Sequence, residues 1–166
     1  MKRLFLCLLV LVGMTASKVA ADDFNIAAKS AMAVDATSGK ILYEKDANTP
    51  IEVGSITNLL TVYLVYEAID RGDLTADTYV DISDYAYTLT SNPNISNVPL
   101  EAKRYKAKDL IAASLMSSSN SATIALAEKV GGSEENFVQM MKAKLKEWGI
   151  KDATIVNSTG LNTLLL

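Results

Sequence analysis

The stretch Val53-Gly54-Ser55-Ile56-Thr57-Asn58 stands directly before the apolar run Leu59-Leu60-Thr61-Val62-Tyr63-Leu64-Val65-Tyr66. In a helix over residues 55–70, apolar side chains fall on every face, which predicts a central buried helix. A serine at the start of such a helix is well placed to act as a nucleophile. Free backbone N–H groups and the partial positive charge of the helix end stabilise negative charge that develops on its oxygen.

The position three residues after Ser55 lies on the same helix face, where a neutral lysine would accept the hydroxyl proton. That position is Asn58, whose amide has essentially no basicity at neutral pH. Histidine is absent from the chain, which excludes a Ser-His-Asp triad and imidazole metal sites. The sequence therefore has the setting of a nucleophile without its base, and acyl transfer would need lysine or a carboxylate.

Residues 1–21 have the pattern of a signal peptide. Lys2-Arg3 is basic, residues 4–12 are apolar, and Val19-Ala20-Ala21 supplies the small residues of a cleavage site. The apolar run is roughly half of the ~20 residues that a membrane-spanning helix needs. We therefore expect cleavage before Asp22, export to the cell envelope, and no membrane anchor in this chain.

The remaining residues, 22–166, are enough for one domain. The only cysteine, Cys7, lies in the leader, so the mature part has neither disulfides nor thiolate metal sites. The net charge of the chain is −3, and removal of three cations (Lys2, Arg3, Lys18) takes it to −6. An acidic exported domain argues against nucleic acid as a partner, and nothing implies a metal or an organic cofactor.

Local patterns predict the other elements. Residues 31–35 and 40–44 around a Ser-Gly turn indicate a β-hairpin. Helices are expected from about 107 to 116, from 122 to 130, and from 134 to 148 after the capping residue Ser133. Residues 154–156 are typical of a strand, and residues 73–105 are turn-rich, with a short strand near 79–82 and no predicted helix.

Ser117-Ser118-Ser119-Asn120 is a second polar cluster, between two helical patterns. Serine and asparagine cap helix ends, and taken alone the cluster favours that interpretation. The functional interpretation is that Ser118 and Asn120 line a cleft opposite Ser55. The hydroxyl would then relay a proton, and the amide would hold a substrate peptide bond.

Together these pieces resemble one family, the serine D-alanyl-D-alanine carboxypeptidases, or low-molecular-mass penicillin-binding proteins. The resemblance covers about residues 27–161. It rests on the Ser-x-x-x and Ser-x-Asn motifs and on three phrases: Ala33-Val34-Asp35-Ala36-Thr37-Ser38-Gly39-Lys40-Ile41-Leu42-Tyr43, Asn120-Ser121-Ala122-Thr123-Ile124-Ala125-Leu126-Ala127 and Asn157-Ser158-Thr159-Gly160-Leu161.

The resemblance implies an α+β, β-lactamase/transpeptidase-like fold, with an antiparallel sheet and helices. It implies that Ser55 is the acylated nucleophile and that Ser118 and Asn120 form the Ser-x-Asn pair. The implied substrate is the D-Ala-D-Ala end of a peptidoglycan stem peptide, from which terminal D-alanine is removed, with β-lactams as covalent inhibitors. Cofactors and metals are not implied.

The chain departs from the family pattern twice. Asn58 replaces the motif lysine, and no Lys-Thr-Gly motif follows before Leu166. We therefore expect a partial catalytic domain, truncated before the C-terminal strands. Two alternatives stay open. One is a non-catalytic fragment or peptidoglycan-binding remnant. The other, less favoured, is a class A β-lactamase, which typically uses Ser-Asp-Asn where this chain has Ser119 in the middle.

Overall fold

A computed structural model of the protein describes residues 26–101 and 103–161. The expected signal peptide lies outside these described residues. The chain divides into two compact units between Thr49 and Pro50, and each unit is described by itself below.

The first unit contains a β-hairpin, as the sequence predicts. Strand β1 (Ala31–Val34) pairs antiparallel with β2 (Ile41–Lys45), with a register irregularity next to Val34. The turn is held by Asp35, whose carboxylate accepts hydrogen bonds from the Ser38 backbone N–H at 2.7 Å and hydroxyl at 2.6 Å. These bonds stabilise the charged carboxylate and lower the pKa of Asp35.

The second unit is mostly helical and carries one small antiparallel sheet. Its elements in chain order are a 3-10 turn (Gly54–Ile56), α1 (Thr57–Asp70), β3 (Tyr79–Asp81), α2 (Asp84–Leu89), β4 (Arg104–Lys106), α3 (Ala107–Ser117), α4 (Asn120–Gly131) and α5 (Glu134–Glu147). Strands β3 and β4 pair antiparallel, with Val80 opposite Tyr105.

Helix α4 is the centre of this unit. It packs against α1, α2, α3 and α5, and its first eight residues, 120–127, are all buried. Small side chains such as Ala122, Ala125 and Ala127 permit this close packing on several sides. At its end, Gly131 lies against the backbone of Phe137, where a Cβ atom would collide.

Helix α1 is buried on one side only, so the prediction of a helix buried on every face was wrong. Thr61, Val65 and Ala68 have no exposed surface, whereas the stripe Ile56, Leu59, Tyr63 and Tyr66 is 42–63% exposed. The pattern failed because apolar residues all round a helix do not tell which faces neighbouring helices cover.

Two further predictions were wrong. Helix α2 forms in the segment where no helix was expected, because the Ser83 hydroxyl caps it by accepting from the Ala86 N–H at 3.1 Å. Its Ala86 and Leu89 side chains are buried in the core shared with α4. Residues 154–156 have no regular structure, and no described strand pairs with them.

Helix α5 follows the predicted pattern closely. Ser133 caps it by accepting from the Asn136 N–H at 3.2 Å, and Phe137 and Met141 are fully buried. A part-buried ion pair of 2.8 Å joins Lys144 to Glu67 of α1, which lowers the pKa of Glu67. Among the described residues, no helix is long and apolar enough to cross a bilayer.

Candidate functional site

Ser55 lies in the 3-10 turn that leads directly into α1. The turn begins with Gly54 at a φ of 54°, a left-handed conformation that glycine adopts without strain, and Ile56 donates its N–H to the Val53 carbonyl at 3.2 Å. The Ser55 side chain is exposed, and no described residue forms a hydrogen bond with its hydroxyl. Its oxygen is therefore open to a ligand.

Ser118 lies on the other side of a cleft, directly after α3. It has φ 50° and ψ 36°, a left-handed conformation that is unfavourable for a residue with a Cβ atom. In this conformation its N–H bonds the Ala113 carbonyl and ends the helix. Strained residues of this kind are concentrated at functional sites, which supports a role for Ser118 beyond capping.

The cleft between these serines has a volume of about 350 Å³. Its polar lining residues are the three serines Ser55, Ser114 and Ser118 together with Asn58, and its apolar ones are Val53, Ile56, Leu59 and Leu115. None of these eight residues is charged. In the part of the chain that the structure describes, the cleft therefore holds no side chain that would take a proton from a serine at neutral pH.

Asn58 forms the inner wall of the cleft and is 3% exposed. Its Nδ2 donates to the Ser114 carbonyl at 3.3 Å, and its buried Oδ1 has no hydrogen-bond partner. Because a carbonyl oxygen can only accept a hydrogen bond, the amide nitrogen of Asn58 must be the end that faces Ser114. The unpartnered acceptor therefore lies on the other side of the amide.

Asn120 is placed differently from the two serines. It is buried at the start of α4, and its Nδ2 donates to the Ser96 carbonyl at 2.8 Å and weakly to that of Ser118 at 3.5 Å. It is not among the residues that line the cleft. The structure thus places Ser55 and Ser118 on one cleft, whereas Asn120 is buried next to Ser118 and does not line the cleft.

The capping interpretation of the polar cluster is correct for Ser119. Its hydroxyl accepts from the Ala122 N–H at 3.4 Å, and it donates to the Asn97 Oδ1 at 3.3 Å. The same Asn97 oxygen accepts from the Ser121 N–H at 2.8 Å, while Asn97 Nδ2 donates to the Leu89 carbonyl at 2.9 Å. One loop asparagine therefore holds the start of α4.

The turn at residues 157–160 supports the serine turn and α1. Thr61 of α1 donates its hydroxyl to the Ser158 carbonyl at 2.6 Å. Gly160 lies so close to the Gly54 carbonyl that a Cβ atom there would overlap it. Asn157 closes the turn by accepting from the Gly160 N–H at 2.8 Å. The turn thus fixes the backbone on which Ser55 sits.

Sequence reasoning missed Ser114 as a residue of this cleft. Its hydroxyl is bonded to that of Thr123 at 2.7 Å, and its carbonyl holds Asn58. Its position one helical turn before Ser118 was the available signal, because residues four apart share a helix face. Among the described residues, no group of three potential metal-ligating side chains comes together.

An exposed serine before a half-buried helix, facing a second serine across a cleft, is an arrangement typical of serine acyl-transfer enzymes. The comparisons with known proteins agree with this class. A family model described as D-alanyl-D-alanine carboxypeptidase matches residues 15–164. The chain belongs to this family of serine hydrolases.

Individual related proteins are consistent with this family assignment. The chain is 35% identical over 135 residues to the D-alanyl-D-alanine carboxypeptidase DacF of Bacillus subtilis, covering 81% of this chain and 34% of the relative. A solved penicillin-binding protein 3 of Streptococcus pneumoniae, described as a peptidoglycan synthesis regulatory factor, is 62% identical with a TM-score of 0.82. The match covers 86% of this chain and 40% of that one.

A third structure is penicillin-binding protein D2 of Listeria monocytogenes in its ampicillin-bound form. It is 26% identical, has a TM-score of 0.69, and is covered over 56% of its length by 86% of this chain. These neighbours confirm the predicted α+β transpeptidase-like fold. The chain spans about a third of the length of its curated relative DacF and about two fifths to just over half of these solved structures.

Proposed function

We propose that this protein is an extracytoplasmic serine acyl-transfer protein that recognises the D-Ala-D-Ala end of peptidoglycan stem peptides. Ser55 is the nucleophile, and Ser118 passes a proton across the cleft. The observation that carries the proposal is the position of these two hydroxyls on one cleft at the start of α1. Family membership supplies the substrate class.

The chemistry begins with attack of the Ser55 oxygen on the penultimate D-alanine carbonyl, which forms an ester. Terminal D-alanine leaves with a proton, and water then hydrolyses the ester. β-Lactams acylate the same oxygen by opening their ring. The slow step is removal of the Ser55 proton, because no charged or basic side chain lines the cleft. A positioned general base is worth roughly 10²–10⁴-fold in rate.

A second candidate function is non-catalytic binding of the same peptide. Asn58 favours it, because an amide offers a hydrogen-bond acceptor but no basicity at neutral pH. In this case Ser55 binds without forming an ester. The two functions share a ligand and differ in whether a covalent bond forms.

Fluorescent penicillin followed by mass spectrometry tests the acyl-transfer proposal. We expect slow, stoichiometric addition of one penicillin mass to the peptide that contains Ser55, and none in Ser55→Ala. Unlabelled but folded protein that still binds a D-Ala-D-Ala peptide in calorimetry would support the binding function instead. Protein that neither labels nor binds would contradict both.

Asn58→Lys separates the two functions further. Under the acyl-transfer proposal, a lysine at this position supplies the missing base, and penicillin labelling accelerates by roughly 10²-fold or more. Asn58→Gln is the matched control, since it lengthens the side chain without adding a base. Equal labelling rates in the lysine and glutamine variants would contradict the role of Ser55 as a nucleophile limited by its proton.

A further inference from the structure

Two neighbouring loop residues, Ser96 and Asn97, accept hydrogen bonds from the start of α4. The Ser96 carbonyl accepts from the backbone N–H of Asn120 at 3.1 Å and from its Nδ2 at 2.8 Å. The Oδ1 of Asn97 accepts from the Ser121 N–H at 2.8 Å and from the hydroxyl of the capping residue Ser119 at 3.3 Å. Four hydrogen bonds therefore join this loop segment to three successive residues at the helix start.

The loop segment is itself anchored. Ile95 and Leu100 are each 8% exposed and belong to the core that α4 shares with its neighbours. Between them, Asn97 donates its Nδ2 to the Leu89 carbonyl at the end of α2, at 2.9 Å. The Ser96 side chain is exposed, and α4 is bound only through the Ser96 carbonyl. Because the core and α2 hold the segment, its two acceptors have a defined position when α4 binds them.

Ser118 lies between two sets of fixed contacts. Its left-handed backbone, with φ 50° and ψ 36°, is unfavourable for a residue that has a Cβ atom. On one side the Ala113 carbonyl accepts from the N–H groups of Ser118 and Ser119 and ends α3. On the other side Ser96 and Asn97 hold the residues that follow. Such a conformation persists only where the surroundings impose it, and these contacts flank Ser118 on both sides.

We propose that Asn97 is a positioning residue for the Ser118 hydroxyl. By holding the start of α4, it keeps the backbone of Ser118 left-handed and its hydroxyl on the cleft that Ser55 also lines. Asn97 itself does not line this cleft, so it acts through Ser118. Relaxation of Ser118 to a right-handed conformation changes the direction of its Cα–Cβ bond and moves the hydroxyl. The inference rests on the proposed role of Ser118 in passing a proton, where a displacement of about 1 Å costs roughly 10²-fold in rate.

The backbone of Ser118 is measured by NMR without any reaction. At a positive φ the N–H and Hα protons of one residue come close, so the natural protein should show a strong nuclear Overhauser effect between them at Ser118. Asn97→Leu has a similar volume and removes both polar atoms, so this signal should weaken. Ser96→Ala is the matched control, since it changes the neighbouring side chain and keeps the carbonyl. A folded Asn97→Leu variant with the natural signal at Ser118 would overturn the inference.

Two milder variants separate the position of the acceptor from general stability. Asn97→Asp keeps an oxygen at the place of Oδ1 and loses the donor to the Leu89 carbonyl. Asn97→Gln keeps both polar groups and displaces them by one methylene. We expect a strong Ser118 signal in the aspartate variant and a weakened one in the glutamine variant. Equal signals in these two variants would show that the place of the acceptor does not set the Ser118 backbone.

The kinetic test is a double-mutant cycle. Asn97→Leu should slow penicillin labelling of Ser55 by roughly tenfold or more. In a Ser118→Ala background the hydroxyl is already lost, so Asn97→Leu should cause no further slowing. A role limited to stability predicts the same slowing in both backgrounds, and that result would overturn the inference while leaving the proposed function intact. Natural protein that is folded and never labels would overturn acyl transfer, and the Ser118 signal would still decide whether Asn97 sets its backbone.

Discussion

The Thr61 hydroxyl donates a 2.6 Å hydrogen bond to the Ser158 carbonyl, and neither residue has any exposed surface. The two residues are 97 positions apart, so this bond ties the helix that follows Ser55 to the turn at residues 157–160. Ser158 is held in turn by Glu134, whose Oε1 accepts from the Ser158 N–H at 3.0 Å. The candidate nucleophile therefore depends on a contact far along the chain.

Thr61→Val should destabilise the protein by about 1–3 kcal/mol, because the valine has the same shape and leaves the Ser158 carbonyl buried without a donor. Chemical denaturation measures the change. Thr88→Val is the matched control, since the Thr88 hydroxyl makes a similar 2.8 Å bond to the Tyr85 carbonyl at an exposed site. Similar losses of unfolding free energy in both variants would show that burial does not increase the contribution of the Thr61 hydrogen bond to stability.

Gly160→Ala should destabilise the protein by about 3 kcal/mol or more and reduce penicillin labelling of Ser55. Its new methyl group would overlap the Gly54 carbonyl and the Thr57 hydroxyl, and Gly160 also has a φ of 69°. Gly72→Ala is the control, because Gly72 has a φ of 83° with open space around it. The Gly72→Ala variant has the backbone strain but no steric overlap, so we expect it to lose only ~1–2 kcal/mol of stability and to be labelled at an unchanged rate.

Ser118→Gly should raise stability and lower labelling at the same time. Glycine relieves the left-handed strain at this position, a gain of about 1 kcal/mol in the free energy of unfolding. The hydroxyl proposed to pass the proton is lost, so acylation of Ser55 slows. Ser118→Ala removes the same hydroxyl and keeps the strain, so it should slow labelling equally without the gain in stability. If penicillin labels the Ser118→Gly variant as fast as the natural protein, the Ser118 hydroxyl does not take part in proton transfer.

Glu128→Gln should stabilise the protein near pH 7 and have little effect near pH 4. Burial raises the pKa of Glu128 above its usual 4.5, the Ser83 hydroxyl partly opposes this, and the charge of Glu134 adds to it. A folded-state pKa above the unfolded value means that the ionised form costs stability above the folded pKa. This cost disappears below the unfolded pKa. Thermal melts at several pH values measure it.

Glu101→Gln is the control for that experiment. Glu101 is exposed and paired with Lys103, which lowers its pKa, so its ionised form is favoured in the folded state and neutralisation brings no gain. A Glu128→Gln gain that is equal at both pH values would contradict a protonation effect and indicate altered packing instead.

Local chemistry made several elements predictable. The Ser133 cap of α5 and the Ser38-Gly39 turn of the hairpin depend on residues within a few positions of each other, so the sequence indicates them directly. The position of Ser55 at the start of a helix was predictable for the same reason. The sequence does not indicate which face of α1 the neighbouring helices cover. Tyr63 is exposed and Val65 is buried, yet both residue types are compatible with a core.

The candidate site was predictable in part. The motif spacing identified Ser55 and Ser118, and both line the cleft. The inward turn of Asn120 towards the Ser96 carbonyl was not predictable, since it depends on a loop 24 residues earlier. The unpartnered oxygen of Asn58 likewise arises from the packing of α1 against α3, and only coordinates place the Ser114 carbonyl beside its nitrogen.

The Oδ1 of Asn97 accepts from two donors, the Ser119 hydroxyl and the Ser121 N–H. Position 97 should therefore tolerate fewer substitutions than most loop positions do. A replacement at 97 would withdraw an acceptor from both donors at once, and no single change at either of them would compensate. Natural variants should therefore keep a side-chain oxygen acceptor at position 97.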